Sequence, residues 1–234
     1  MNEGDEVEMR LLADYGAIYV ASGVTPPPTL IFEDEAAVKE WQVSVKTESA
    51  NVGGIQIELQ SAAMRALLEA RDEALSANLR ITPRGTLAAR RSYADNASLW
   101  QKRVEAGLSH WTAAGRITAQ EAGRIRALTP REQLREILRL ERGGLYFSTS
   151  FSKSILYSVA ATGASQHLSM LALDVEENAN PSVRAILARH GWFQTVVSDT
   201  PHFTFLGTTE DQLASLGLKR VESEGRTFWI PDID

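Results

Sequence analysis

The chain has 234 residues, 44% apolar and 23% charged, which is enough to bury the core of one globular domain. Its net charge of −6 and the absence of a basic stripe argue against nucleic acid as a partner, and no apolar run approaches the roughly 20 residues of a membrane span. The absence of cysteine excludes disulfides and cysteine-based zinc sites, so any zinc must be held by histidines and carboxylates.

Residues 1–57 are predicted to form an N-terminal helical extension. Residues 9–15 have a helical pattern, residues 16–22 are compatible with a strand, and three prolines at 26–28 impose an extended segment. Residues 33–45 are predicted to form a helix with an acidic first turn. Gly53 and Gly54 close this part of the chain.

Residues 58–234 are predicted to form the main domain, beginning with its helical half. Apolar residues recur at helical spacing over 61–78, residues 79–82 alternate as in a strand, and residues 93–106 return to a helical pattern. The charged stretch 111–141 is predicted to be helical, with breaks at Gly115 and before Pro130, where Thr129 is expected to cap the next helix.

The pattern changes after Gly143 to short apolar runs typical of strands. Predicted strands cover 155–159, 170–175, 196–197, 203–206, 218–221 and 227–230, and predicted helices cover 181–189 and 209–216. Helices in the first half and an antiparallel sheet in the second half indicate an α+β domain.

The chain has only four histidines, and two of them lie near carboxylates in the strand-rich half. A catalytic zinc needs three nitrogen or oxygen ligands and leaves a fourth position for water. His167, Asp174 and His202 are predicted to supply these ligands, and Asp199 lies three residues before the last of them.

Each of these residues also has a simpler interpretation. A lone His167 on an apolar run is compatible with a buried core histidine, and Asp174 and Asp199 are compatible with turn formation. Arg91 is compatible with a simple surface charge, in which case Arg84 or Arg90 would take the functional role of the arginine. The other two histidines are predicted to be structural: His190 ends a helix, and His110 packs beside Trp111.

Three segments, in this order along the chain, resemble one family. They are the run from Arg91 to Asn96, the pattern Ser165-x-His167-x6-Asp174, and the acid–histidine pair Asp199-x-x-His202. Together they resemble the zinc D,D-peptidases of bacterial cell-wall metabolism. These include vancomycin-resistance D-alanyl-D-alanine dipeptidases and carboxypeptidases, and phage L-alanyl-D-glutamate endopeptidases. The resemblance covers roughly residues 58–207 and implies the fold shared with the hedgehog signalling domain.

The resemblance implies a role for each matching residue. It assigns zinc binding to His167, Asp174 and His202, and the general base to Asp199. Arg91 would hold the developing oxyanion or the substrate carboxylate, and Ser165 and Tyr93 would also bind substrate. These roles agree with zinc-activated water, proton transfer by a carboxylate, and stabilisation of negative charge by a guanidinium.

The sequence departs from the family at three positions. The family usually has glycine where this chain has Met170, so the turn between the first two ligands is expected to differ. Thr162 replaces a usual proline, and Asp199 replaces the glutamate of most carboxypeptidases, as in the endopeptidase branch. The last departure bears on which bond is cleaved.

A serine-peptidase interpretation is disfavoured. The run Ser150-Phe151-Ser152-Lys153 matches the Ser-x-x-Lys of serine penicillin-binding proteins, but the required later Lys-Thr-Gly is missing, since the only Lys-Thr occurs at Lys46.

The sequence therefore predicts an α+β, hedgehog/D,D-peptidase-like zinc enzyme that hydrolyses peptidoglycan stem peptides. The preferred activity is that of a D-alanyl-D-alanine carboxypeptidase. The alternatives are an L-alanyl-D-glutamate-type endopeptidase and a non-catalytic peptidoglycan-binding domain that keeps the metal pocket. Because peptidoglycan lies outside the membrane, an extracytoplasmic location is expected. The acidic first residues do not resemble a signal peptide, which leaves a removed export signal or a cytoplasmic protein as the two readings.

Overall fold

The computed structural model describes residues 3–197 and 199–233. Within these ranges the helices are α1 (Glu3–Tyr15), α2 (Glu35–Ser44), α3 (Ser61–Ser76), α4 (Tyr93–Ala113), α5 (Ala119–Arg126), α6 (Pro130–Arg142) and α7 (Pro181–Arg189). The strands are β1 (Thr47–Val52), β2 (Ile55–Gln60), β3 (Ala172–Asp174), β4 (Trp192–Phe193), β5 (His202–Phe205), β6 (Leu218–Ser223) and β7 (Arg226–Pro231).

The three central helices begin at side-chain caps. Ser92, Thr118 and Thr129 each accept a hydrogen bond from the backbone N–H three residues later, and an acidic side chain at that position bonds back to the cap. These capping boxes satisfy N–H groups that the first helical turn leaves unpaired. The predicted cap at Thr129, with proline at the first helical position, is confirmed.

The strands form three small antiparallel sheets: β3-β5-β4 and the hairpins β1-β2 and β6-β7. The mixture of helices and antiparallel strands confirms the α+β class. In the three-stranded sheet, Asp174 on β3 lies directly opposite His202 on β5. The register of this strand pair therefore places two of the predicted zinc ligands next to each other.

The described core contains two large apolar clusters. One joins the β1-β2 hairpin, α3 and α7 to the sheet, through side chains such as Leu67, Leu187 and Phe203. The other joins α1 to α4, α5 and α6, around Trp100 and Ile137. The cleft described below is bordered by residues from α4 on one side and from β3 and β5 on the other.

Several predicted strands are wrong. Gly16–Val20 and Ile155–Tyr157 are 3₁₀ segments, residues 79–82 and 196–197 lie outside the strands, and the predicted helix at 209–216 is two short 3₁₀ segments. A short apolar run indicates that a segment is buried, but it does not indicate whether the backbone of that segment is a strand or a 3₁₀ helix.

The N-terminal segment also contains a hairpin that was not predicted. Gly53 and Gly54 form its turn with positive φ angles of 59° and 88°. The predicted boundary between residues 57 and 58 falls within β2 of this hairpin.

In the described part of the chain, no helix combines the length and the apolar character needed to cross a membrane.

Candidate metal centre

The three predicted ligands come from neighbouring elements. Asp174 is the last residue of β3 and His202 the first residue of β5, so the strand register pairs them. His167 lies in the 3₁₀ segment Gln166–Ser169, shortly before β3. The backbone N–H of Arg91 donates to the carbonyl of His167 at 3.3 Å and ties this segment to the start of α4.

The side chains of these residues converge on one point. His167 Nε2 lies 3.1 Å from His202 Nδ1, and Oδ1 of Asp174 lies 3.4 Å from the former and 3.3 Å from the latter. Atoms bound about 2.0–2.1 Å from a tetrahedral zinc ion lie about 3.3–3.4 Å from one another. The group can therefore hold a metal ion of this size without rearrangement.

Second hydrogen bonds set the tautomer of each ring. His167 Nδ1 lies 2.8 Å from the carbonyl oxygen of Ala89, which only accepts, so Nδ1 carries the proton and Nε2 presents its lone pair. His202 Nε2 donates to Oε1 of Gln166 at 2.8 Å, which leaves the lone pair on Nδ1. The identity of that amide oxygen is fixed because Gln166 Nε2 donates to the carbonyl of Tyr15.

The site thus places three electron-pair donors together with no proton between them. Such an arrangement is repulsive in the absence of a cation and is the pattern of a metal site supported by second hydrogen bonds. Burial lowers the pKa of His167 to about 4, although the Asp174 carboxylate opposes this shift. Burial works against ionisation of Asp174, but the neighbouring imidazoles hold the pKa of its carboxyl well below the ordinary value. Both groups are therefore in the protonation state that binds metal at neutral pH.

Arg91 contacts the metal group through Asp174. Its Nη2 donates to Oδ2 of Asp174 at 2.7 Å, and its Nε donates to the carbonyl of Leu87 at 2.8 Å. The side chain borders the cleft and is 16% exposed. Its predicted contact with substrate stays a prediction, while its contact with a predicted ligand is an additional structural role.

Asp199 also borders the cleft but does not belong to the three-residue metal group. No described residue forms a side-chain hydrogen bond or an ion pair with its carboxylate. Burial raises the pKa of Asp199, although His202 opposes the shift. A carboxylate held near a metal group without a partner of its own is suited to accept a proton.

The cleft has a volume of about 390 Å³. Ser165 borders it, and its role in substrate binding stays a prediction. Tyr93 lies elsewhere: it packs against the apolar cluster that contains Trp41 and Met170, and it borders a different depression. Tyr93 therefore does not line the cleft.

Met170 occupies the turn between the first two ligands with φ 58° and ψ 32°, which is the left-handed conformation. This is the region that glycine adopts without strain. The turn therefore differs from the family pattern in its side chain only. Its backbone takes the conformation typical of glycine although the residue is methionine. The buried Met170 side chain packs beside Phe32 and Trp41.

Gln166 is a functional residue that sequence reasoning missed. Besides bonding His202 and Tyr15, its Oε1 accepts a hydrogen bond from Thr204 Oγ1 at 2.5 Å. Its position directly before the first ligand was the available signal. The two remaining histidines are structural, as predicted: His110 stacks on Phe151 at 4.0 Å, and His190 ends α7 and bonds Glu73.

No family model matches the sequence, and no curated protein matches it. Among solved structures, the fold is similar to a mutant of the vancomycin-resistance D,D-pentapeptidase VanY, from a VanB-type resistance cassette, in complex with Zn(II). The TM-score is 0.38 and the identity 15%, over 70% of this chain and 79% of that chain. A likeness at this level leaves the function of the chain to be argued from its site.

Proposed function

We propose that the chain is a zinc-dependent peptidase that hydrolyses stem peptides of bacterial peptidoglycan, with removal of the terminal D-alanine from D-alanyl-D-alanine as its reaction. The observation that carries the proposal is the convergence of three proton-free donor atoms, one each from His167, Asp174 and His202, within 3.1–3.4 Å of one another. A second carboxylate and an arginine border the same cleft, which gives the donor set of a hydrolytic site.

Zinc, when bound, would lower the pKa of a coordinated water and polarise the scissile carbonyl. Asp199 would accept a proton from the attacking water and pass it to the leaving amine. Arg91 uses two of its five N–H groups on Leu87 and Asp174, so three remain to stabilise negative charge on the substrate.

The same proposal includes the fold family of the chain and the cellular location of the protein. The motif order Arg91, His167–Asp174, Asp199–His202 supports the hedgehog/D,D-peptidase family. An enzyme that acts on peptidoglycan would work outside the cytoplasmic membrane, so we place the protein in the periplasm or the extracellular space.

The test is hydrolysis of defined muropeptides by the zinc-loaded protein. Release of D-alanine from a pentapeptide that ends in D-Ala-D-Ala should be abolished by a chelator and restored by zinc. Asp199→Asn, which should keep the metal, serves as the inactive control. Cleavage of an L-Ala-D-Glu bond instead would identify an endopeptidase. Zinc binding without any cleavage would reduce the site to a binding pocket and overturn the proposed activity.

A further inference from the structure

Two basic residues on α4 face the cleft without an acidic partner. Lys102 and Arg103 both border it, and neither forms an ion pair with any described residue. Leu99 and Asn96, one and two turns earlier, line the same cleft. The basic pair therefore belongs to the helix face that forms one wall of the site.

Arg103 is held in place without neutralisation of its charge. Its Nε is buried and has no hydrogen-bond acceptor, and burial lowers its pKa. Its guanidinium lies over the ring of Phe151, 5.2 Å from the centroid, and that ring stacks in turn on His110. The side chain therefore keeps its charge beside an aromatic ring and without an acidic partner, at the border of the cleft.

Phe151, which makes this contact, has an unusual backbone conformation. Its φ of 55° lies in the left-handed region, which is a genuine outlier for an aromatic residue. Strained residues of this kind concentrate at binding sites, where the surrounding structure holds them. The ring of Phe151 thus packs against the guanidinium of Arg103, which itself borders the cleft.

The charge balance of the cleft favours an anion. Its basic residues are Arg91, Lys102 and Arg103, and its acidic residues are Asp174 and Asp199. Arg91 and Asp174 bind each other, which leaves two basic side chains, Lys102 and Arg103, and one carboxylate, Asp199, in the lining of the cleft. This local positive excess occurs in a chain whose net charge is −6. Clefts with an excess of one sign concentrate ligands of the opposite charge.

We propose that Lys102 and Arg103 form a subsite that binds a free carboxylate of the peptide substrate and so determine its specificity. This rests on the proposed peptidase function and adds to it a requirement for an anionic group. This carboxylate has two possible sources: the C-terminus of the peptide, or the side chain of an acidic residue within it. A guanidinium with an unused N–H edge beside an ammonium matches the carboxylate in charge and donor geometry.

The experiment compares three peptides: a pentapeptide ending in D-Ala-D-Ala, its C-terminal amide, and a peptide whose internal acidic residue is replaced by its amide. We expect the wild-type protein to lose about 10- to 100-fold in kcat/KM on the peptide that lacks the recognised carboxylate, mainly through KM. The double variant Lys102→Met/Arg103→Met should lose the same factor on the carboxylate peptide and little on the amide. Loss with the C-terminal amide identifies the C-terminus as the source, and loss with the internal amide identifies the acidic residue.

The matched control is Lys39→Met/Arg116→Met, which removes two charges outside the cleft. Equal rates of the wild-type protein on all three peptides, or equal losses by both double variants, would overturn the subsite. Calorimetric binding of the same peptides to zinc-loaded Asp199→Asn separates this result from failure of the proposed reaction. If the wild-type protein cleaves nothing, carboxylate-dependent binding that the Lys102→Met/Arg103→Met change abolishes still supports the subsite, and its absence rejects it.

Phe151 is a positioning residue in this scheme. Phe151→Leu should reduce the preference for the carboxylate peptide over the amide, while Phe151→Tyr should retain it, because tyrosine keeps the ring face beneath the guanidinium. A purely structural role would lower the rates on both peptides together and leave the preference unchanged, which would contradict the assignment.

Discussion

The two oxygens of Asp174 have different partners: Oδ2 accepts a hydrogen bond from Arg91 Nη2 at 2.7 Å, while Oδ1 lies 3.4 Å from His167 Nε2 and 3.3 Å from His202 Nδ1. Arg91 therefore fixes the rotation of the carboxylate so that one oxygen points at the two imidazoles. Groups that hold a ligand in this way contribute to metal affinity although they do not touch the metal.

Arg91→Ala is expected to lower zinc affinity about 10- to 100-fold, because Asp174 loses the donor that orients it. Arg91→Lys should recover little, since one ammonium does not reproduce the planar donor set that binds Asp174 and the Leu87 carbonyl together. Competition with a chromophoric chelator measures the affinity. Arg84→Ala is the control, because Arg84 is exposed and its acidic contact is Glu176 at 3.9 Å. Unchanged affinity in Arg91→Ala would show that Arg91 is dispensable for the metal.

His167→Ala and His202→Ala are each expected to abolish stoichiometric zinc binding, because each removes one of three ligands. His110→Ala and His190→Ala should retain about one zinc per chain, since these residues lie outside the metal group. Elemental analysis of the four purified variants distinguishes the two pairs. Full zinc occupancy in either of the first two would reject the ligand assignment.

Gln166→Leu is expected to weaken zinc binding about 10- to 100-fold without touching a ligand. The change removes the acceptor of His202 Nε2–H, so the ring is no longer held with its Nδ1 lone pair toward the metal. Gln133→Leu is a control for loss of fold, because Gln133 is equally buried and accepts a hydrogen bond from Trp100 in the helical cluster. It should lower the melting temperature and leave zinc affinity unchanged. If both variants lose zinc equally, the effect of Gln166 is one of stability.

The sequence was sufficient to predict the elements with strong local signals. Apolar periodicity and caps predicted α3, α4 and α6, and Thr129 marked the start of the last of these. The ligand set was also accessible, because the chain has only four histidines and two of them, His167 and His202, lie near Asp174 and Asp199 in the same half of the chain.

What could not be predicted depends on contacts between distant segments. The tautomer of His167 is set by a carbonyl 78 positions away in the sequence, and that of His202 by a glutamine 36 positions away. The resemblance implies a substrate role for Tyr93, but its side chain packs against the cluster around Trp41 of α2 and is not part of the cleft lining. The basic pair on α4 carried no sequence signal, because only the fold turns it toward the metal group.

Met170 provides a test of its left-handed backbone through stability. Met170→Ala and Met170→Gly both lose the buried side chain, at a cost of roughly 2–5 kcal/mol. Glycine alone relieves the strain, which is about 1–2 kcal/mol for an L-residue with positive φ. The glycine variant should therefore be more stable than the alanine variant in chemical denaturation. At Leu168, whose φ is not positive, the ordinary order should hold: the Leu168→Ala variant should be more stable than the Leu168→Gly variant. The same order at both positions would argue against the left-handed turn.

Asp199→Asn is expected to retain zinc and to lower kcat by about 10²–10⁴-fold, because the amide keeps the size of the side chain but does not accept a proton. Loss of zinc in this variant would instead make Asp199 a ligand. The base must be unprotonated to act, so kcat/KM of the wild-type protein should fall as the pH decreases. That acidic limb should disappear or shift in the residual activity of the variant, whereas an unchanged limb would assign it to another group.

The same substitution should raise the stability of the metal-free protein at neutral pH. Burial raises the pKa of Asp199 in the folded state, so the folded protein holds this proton more tightly than the unfolded chain does. As the pH rises above the unfolded-state pKa of about 3.9, the buried ionised carboxylate destabilises the fold, and this cost is complete above the folded-state pKa. Asp199→Asn removes the cost, so its advantage in free energy of unfolding should be present at pH 7 and diminish toward pH 4. An advantage that does not change with pH would show that it arises from packing and that the carboxylate is not desolvated as the structure indicates.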